Sequence, residues 1–246
     1  MNEVIRQLIA RKSVRAYTDR DITDGEKRAI LTCAANAPTA GNQQLYTIID
    51  VTDPALREKL AESCDHQPMI AKAKMVLVFC ADCKKWYDAY RAVGCEPRDP
   101  GVGDLMLAVG DAMIAAQNAV TAAESLGIGS CYVGDVMENF ETQRDLLGLP
   151  EYVFPAGMVI FGFPTEQQQR REKPARVDLK FVVHENAYRA LSDAELEEMW
   201  SPRSGAQGYR AWMKAFCDRK YNSDFSREMT RSVAAAMGQF RGGKRE

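Results

Sequence analysis

Residues 11–15 carry Arg11, Lys12, Ser13 and Arg15, so that three cations and a hydroxyl fall within five consecutive positions. Arginine makes planar, bidentate hydrogen bonds to phosphate, and serine adds a short neutral donor. The group therefore has the chemistry of an oxyanion clamp. An apolar helical run (Val4, Ile5, Leu8, Ile9) precedes it, and the chain then reads as extended through Ala16, Tyr17 and Thr18. The cluster stands at a joint, where a phosphate could be gripped from several sides. Alone, it reads equally well as a solvated basic turn. A second basic group, Arg170, Arg171, Lys173 and Arg176, follows a buried-strand pattern. It could supply the other side of such a clamp, at a position where mixed folds tend to hold ligands; alone it too is a solvated loop.

Three further constellations bear on chemistry. Residues 37–44 form a turn rich in small and amide-bearing side chains, including Thr39, Asn42 and Gln43. Amides both donate and accept, which suits a heteroaromatic ring with alternating N–H and C=O groups. Gly127, Gly129 and Ser130 let backbone N–H groups approach a ligand. They follow a helix instead of opening one, so they are no dinucleotide fingerprint. Cys80 and Cys83 form a CxxC with Cys95 beyond it, a spacing open to redox chemistry. A metal site would need more ligands than the two histidines, His66 and His184, supply. Structural cysteines are the plainer reading. His66 and the adjoining Gln67 are candidates for a ligand contact, and Trp86, Tyr87 and Tyr90 for an aromatic cap within residues 83–105.

The elements that must position these groups alternate between helix and strand. Helices are expected over residues 2–10, from Thr23, where Glu26 completes a capping box, over 54–63, over 105–125 and over 140–147. The 105–125 helix is rich in alanine, which suits a helix packed all round or one at a subunit interface. Strands are expected over 45–51, 74–81, 131–133, 152–163 and 181–183. From Ser192 the pattern turns helical, at 192–200, 208–220 and 223–240, with a frayed tail at 241–246.

The 246 residues, 46% hydrophobic and 27% charged, suffice for one large domain with a substantial core. A net charge of -2 leaves no electrostatic footprint for nucleic acid. No apolar run comes close to the roughly 18 residues of a membrane span. The N-terminus lacks the pattern of a secretory signal. The seven cysteines are therefore expected as reduced thiols in a cytoplasm.

Five blocks in order give the chain a wider resemblance. They are Arg11 to Arg15; Ala37 to Gln44; His66-Gln67 leading to Val78 to Asp82; Glu124 to Gly134; and Lys173 to Arg176 followed by Val183 to Asn186. In this arrangement the chain resembles the FMN-dependent nitroreductase and flavin reductase family, and within it the larger, NADPH-preferring, oxygen-insensitive branch. The resemblance implies an α+β fold with a central, mainly antiparallel sheet flanked by helices. It implies an intertwined homodimer: residues 1–190 form the FMN-binding core, and residues 191–246 a helical extension of the same domain that embraces the partner. By the same resemblance Arg11, Lys12, Ser13, Arg15, Lys173 and Arg176 hold the FMN phosphate. Thr39, Asn42, Gln43 and Gln67 lie near the ribityl chain and ring, and Gly127, Gly129 and Ser130 lie along the ring. Arg203 and Arg210 meet the extra phosphate of NADPH, and NADH is the other donor to weigh. The implied activity is NAD(P)H-dependent reduction of nitroaromatics, quinones or flavins, in ping-pong fashion through flavin N5. No side chain acts as nucleophile and no metal is used. A flavin-storing module, or a reductive dehalogenase of the same superfamily, are the alternatives.

Overall fold

A computed structural model describes residues 1–243. Its contacts divide the chain into two compact units, one made of residues 1–171 with 228 onward, the other of residues 172–227. The second unit begins before residue 191, and the chain beyond Arg227 returns to the first unit.

The first unit is built on a four-stranded antiparallel sheet, ordered β1-β2-β4-β3, with β1 Tyr46–Asp50, β2 Met75–Asp82, β3 Gly129–Val133 and β4 Val153–Gly162. The continuous apolar runs behind β2 and β4 are explained by burial of every residue in both strands. Alternation along them feeds two cores. Leu77, Phe79, Ala81, Val159 and Phe161 pack on one face and Val76, Val78, Cys80, Met158 and Ile160 on the other. The second face is covered by α3 (Pro54–Ser63) and closed by residues around α7 (Phe140–Leu147).

Helix α2 (Asp24–Ala35) starts at the expected capping box: Thr23 Oγ1 accepts from Glu26 N at 3.3 Å, and Glu26 Oε2 accepts from Thr23 N at 2.8 Å. The long helix α6 runs Val102–Ser125, one turn earlier than its alanine stripe suggests. Asp104 sets that start by accepting from Gly101 N at 2.7 Å and from Arg98 at 2.6 and 3.0 Å. Among the described residues α6 is the one helix long and apolar enough to cross a membrane, which corrects the expectation of no such run. Its physical use is visible, since Ala108, Ala112, Ala115, Ala116, Ala119 and Ala123 are all fully buried against the sheet core. It is not packed all round: Met106, Leu107 and Ile114 on its outer side are exposed.

The N-terminal helix α1 (Glu3–Ala10) is amphipathic as expected, and Asn2 caps it by accepting from Ile5 N at 3.0 Å. Yet none of its residues is buried within the single chain. The last helix, α11 (Asp224–Met237), brings Ser232 onto the first unit, where its hydroxyl accepts from Phe140 N at 2.8 Å and donates to Met137 O at 2.7 Å. Arg231 chelates Glu141 at 3.0 and 2.9 Å and holds that carboxyl down at about 2. Beyond α11, Arg241 bridges Gly101, Gly242 N donates to Pro100 O and Asp99 N donates to Gly243 O. Residues 241–243 are thus tied down and not frayed; the rest of the expected frayed tail lies outside the described residues.

The second unit contains α9 (Asp193–Trp200) and α10 (Tyr209–Lys220), close to expectation. The expected strand at 181–183 is absent. Leu179–Phe181 form a 3-10 turn, and Val182 and Val183 are exposed, with no strand paired to them among the described residues. A short β-branched run mimicked a strand, but Asp178 caps the turn by accepting from Lys180 N at 2.9 Å.

Candidate functional site

The basic segment 11–15 lies along the edge of the sheet. Ser13 and Ser130 form a parallel bridge, and Val14 N donates to Ser130 O at 2.9 Å. A pair of glycines makes this docking possible. Gly129 on β3 and Gly162 on β4 are register partners. A Cβ on Gly129 would stand 2.6 Å from Val14, and one on Gly162 would stand 2.6 Å from the Tyr17 ring. The two missing side chains leave a saddle that Val14 and Tyr17 fill. Tyr17 then donates to Val14 O at 2.9 Å, and burial pushes its hydroxyl pKa upward.

The first basic group does meet the second, through Arg171 and through Gln168 and Gln169, two residues that the sequence had not singled out. Thr165 caps α8 (Glu166–Arg170). Gln168 Oε1 accepts from Arg15 N at 3.2 Å, and Arg171 donates to Ser13 O at 2.7 Å. Lys12 Nζ donates to the carbonyls of Gln169 and Arg171, the former at 2.7 Å. The ammonium of Lys12 therefore knits two backbone segments together. Arg11 points at Ser130, with Nη2 3.4 Å from its Oγ and the guanidinium 5.7 Å from the Tyr132 ring centre. Its Nε is buried with no hydrogen-bond partner among the described residues.

Arg11, Lys12 and Arg171 meet on this segment with Arg15 exposed beside them, and among the described residues none of the four pairs with a carboxylate. Such a concentration of like charge is self-repelling, and an anion relieves it. An orphaned buried donor is costly until something accepts from it. The site is therefore chemically matched to a phosphate group.

The segment 127–130 does different work at each residue. Gly127 is exposed at φ +74° with open space around it. Gly129 is a glycine because Val14 occupies the place of its side chain, and Ser130 is fully buried within β3. Of the three, Gly127 has open space beside its Cα, while its N–H donates to Glu124 O at 3.0 Å.

The amide loop lies against the middle of α6, at Asp111. Asp111, a buried acid in the alanine stripe, accepts from Ala40 N at 2.9 Å and from Leu45 N at 3.1 Å. Thr39 Oγ1 accepts from Gln44 N at 3.2 Å, while Asn42 and Gln43 are exposed. Trp86 Nε1 donates to Gln43 O at 2.6 Å. A cavity of about 310 Å³ opens beside the loop, walled by Gln43, Leu45, Trp86, Tyr87 and Tyr90 with Cys83 among its lining residues. The aromatic residues come from α5 (Lys84–Ala92), so the aromatic stretch of 83–105 borders a cleft. Asp111 was the missed residue here. The signal was a lone acid inside an otherwise apolar helical stripe.

His66 and Gln67 follow α3. His66 is exposed at φ +51°, and Gln67 Nε2 donates to Cys64 O at 2.9 Å. Lys173, Arg176, Arg203 and Arg210 belong to the second unit. There Lys173 is half-buried, Arg176 and both later arginines are exposed, and Arg203 stacks 5.4 Å from the Trp200 ring.

The CxxC pair is chemically quiet. Burial pushes both the Cys80 and the Cys83 thiol up to about 12, assisted by Asp82 at Cys80 and by Asp104 and Asp82 at Cys83. Cys33, Cys95 and Cys217 are exposed. Labelling the native protein with a thiol-specific disulfide reagent at pH 7.5 is expected to modify three cysteines quickly and leave Cys80 and Cys83 intact until the protein is unfolded. Mass-mapped rapid labelling of either would overturn that assignment.

Comparison with known proteins agrees with the fold. The profile of the Nitroreductase family matches residues 8–163. The chain is 36% identical over 194 residues to the oxygen-insensitive NADPH nitroreductase of Salmonella typhimurium, covering 78% of each protein. It is 32% identical over 237 residues to the FMN reductase [NAD(P)H] of Bacillus subtilis, covering 96% of this chain and 91% of that one. Among solved structures, NfrA2 of Bacillus megaterium superposes with a TM-score of 0.81 at 30% identity, over 100% of both chains. With its antiparallel sheet, its basic edge segment and these relatives, the chain belongs to the nitroreductase family.

Proposed function

We propose that this protein is an FMN-dependent NAD(P)H oxidoreductase that reduces flat, electron-poor acceptors such as nitroaromatics, quinones or free flavin, as a cytoplasmic homodimer. The observation that carries the reading is the group of Arg11, Lys12, Arg15 and Arg171, which among the described residues meets no carboxylate and leaves the buried Arg11 Nε without an acceptor. FMN brings a dianionic phosphate that such a cluster suits. When bound, FMN supplies the electron transfer between nicotinamide and acceptor, so the two substrates use one site in turn.

The chain's own residues do the holding. Arg11 and Arg15 face the phosphate with the Ser13 hydroxyl, and Lys12 fixes the segment from behind. Asn42, Gln43 and Thr39 offer donors and acceptors to the ring, Gln67 adds an amide, and Gly127 leaves room for a flat ligand. The aromatic wall of α5 offers stacking surface and excludes water. The roles of Lys173 and Arg176 toward phosphate, and of Arg203, Arg210 and His66 toward NADPH or substrate, rest on the resemblance. The dimer is supported by apolar surface that a single chain leaves open. Val4, Ile5, Leu8 and Ile9 on α1 are 45–57% exposed, and Met106 and Leu107 on α6 exceed 50%.

The test is the visible spectrum of the purified protein, followed by anaerobic addition of NADPH and NADH in turn. Flavin bands that bleach, and return when a nitroaromatic is added, are the expected result. The faster nicotinamide identifies the donor. Bound flavin that neither nicotinamide bleaches would make the protein a flavin-binding module. No flavin binding, even with added FMN, overturns the proposal.

A further inference from the structure

The amide loop has an unusual backbone. Gly41, Asn42 and Gln44 all lie in the left-handed region, at φ 56°, 56° and 53°. Non-glycine residues persist there where the surroundings over-determine them, and such strain collects at ligand-binding sites. Two side chains over-determine this loop. From below, Asp111 spans it: Oδ1 takes Ala40 N at one end and Oδ2 takes Leu45 N at the other. From the side, Trp86 Nε1 holds Gln43 O at 2.6 Å.

Asp111 is 3% exposed, in a stripe where the buried neighbours Ala108, Ala112 and Ala115 are alanine. A buried acid is a costly choice for a helix that alanine would complete. What it provides is two acceptors at a fixed separation. Asparagine has one acceptor oxygen and presents an NH₂ to the second backbone N–H, so it cannot replace aspartate here.

We infer that Asp111 is a positioning residue for the amide loop, setting the orientation of Asn42 and Gln43 toward the bound flavin ring, with Trp86 as its second support. The inference rests on the function proposed above. It assigns the loop's binding geometry to a side chain that itself stays away from the ligand.

The test uses Asp111→Asn and Trp86→Phe in the full-length protein, with FMN and riboflavin as probes. Riboflavin lacks the phosphate and so reports the ring contacts alone. Asp111→Asn is expected to weaken both flavins by the same factor, about 10-fold for one lost buried hydrogen bond. It is also expected to alter the visible circular dichroism of bound FMN. Trp86→Phe keeps an aromatic ring on a partly exposed position and loses the one donor. It should shift both readouts in the same direction by less. Unchanged affinity for both flavins and unchanged dichroism in both variants, even with a lowered thermal midpoint, would show a purely structural role and overturn the inference. If Asp111→Asn does not fold, Trp86→Phe decides by the same readouts. A wild-type protein that binds neither flavin defeats the functional proposal itself, a result distinct from either variant's.

Discussion

Replacing Gly162 with alanine is expected to cost the fold about 3 kcal/mol, at the upper end for forcing one methyl into a packed site. The new Cβ would stand 2.6 Å from both Cδ1 and Cγ of Tyr17. Relief would need the ring to leave the saddle, since the Tyr17 Cβ itself would stand only 3.0 Å away and the strand behind Gly162 is buried. For a chain of this size that cost lowers the thermal midpoint by roughly 10 °C. The consequence is not confined to stability. Tyr17 anchors the segment that carries Arg11 to Arg15, through its hydrogen bond to Val14 O and the pairing of Thr18 N with Phe163 O. Flavin affinity should therefore fall along with the melting temperature. Differential scanning fluorimetry with and without FMN measures both. A Gly162→Ala protein that melts like the wild type would mean that Tyr17 has another seat.

Arg11→Ala is expected to weaken FMN by about 30- to 100-fold while leaving riboflavin affinity nearly unchanged. The estimate follows from hydrogen bonds to a charged group, each contributing about 1.5–3 kcal/mol. Arg11 is favoured over Arg15 as the dominant ligand on structural grounds. It is half-buried, its Nε lacks a partner, and Ser130 Oγ and the Tyr132 ring fix its direction. Arg15 is exposed, where solvent screens a charge. Arg15→Ala should therefore cost less, and turnover of the remaining FMN-loaded protein should change little in either variant. Isothermal titration with the two flavins separates the cases. Equal losses for FMN and riboflavin in Arg11→Ala would move Arg11 from the phosphate to the ring.

Much of this molecule could be read from local signals. The Thr23/Glu26 capping box and the apolar runs of β2 and β4 act within a few residues, and the structure follows them. The CxxC is also quiet for a local reason, since Cys80 sits in a run that the sheet buries. What escaped the sequence depends on distant partners. Gly129 looks like a ligand-approach glycine until Val14 is seen in its place. Lys12 looks like a phosphate ligand until its ammonium is found between two carbonyls of the 169–171 segment. Asp111 is an acid in an alanine stripe, and its two backbone partners come from a loop some seventy residues earlier. The start of α6 was legible in principle, because Asp104 stands three residues after Gly101 in a capping-box position. Val182 and Val183 failed in the opposite sense: their β-branched side chains fit a strand, but among the described residues no strand pairs with them.

The return of the chain end to the first unit has a consequence for how the protein is made. Ser232 caps the gap at Met137 and Phe140, and Arg241 to Gly243 pair with the residues that open α6. A ribosome that has released residue 171 must still translate as far as Gly243 before the last of those partners exists. At about 5–20 residues per second that delay is roughly 4–15 s. Throughout it the seat of α11 at Met137 and Phe140 stands empty and residues 99–101 lack their backbone partners, surfaces suited to a chaperone that shields them until those segments emerge.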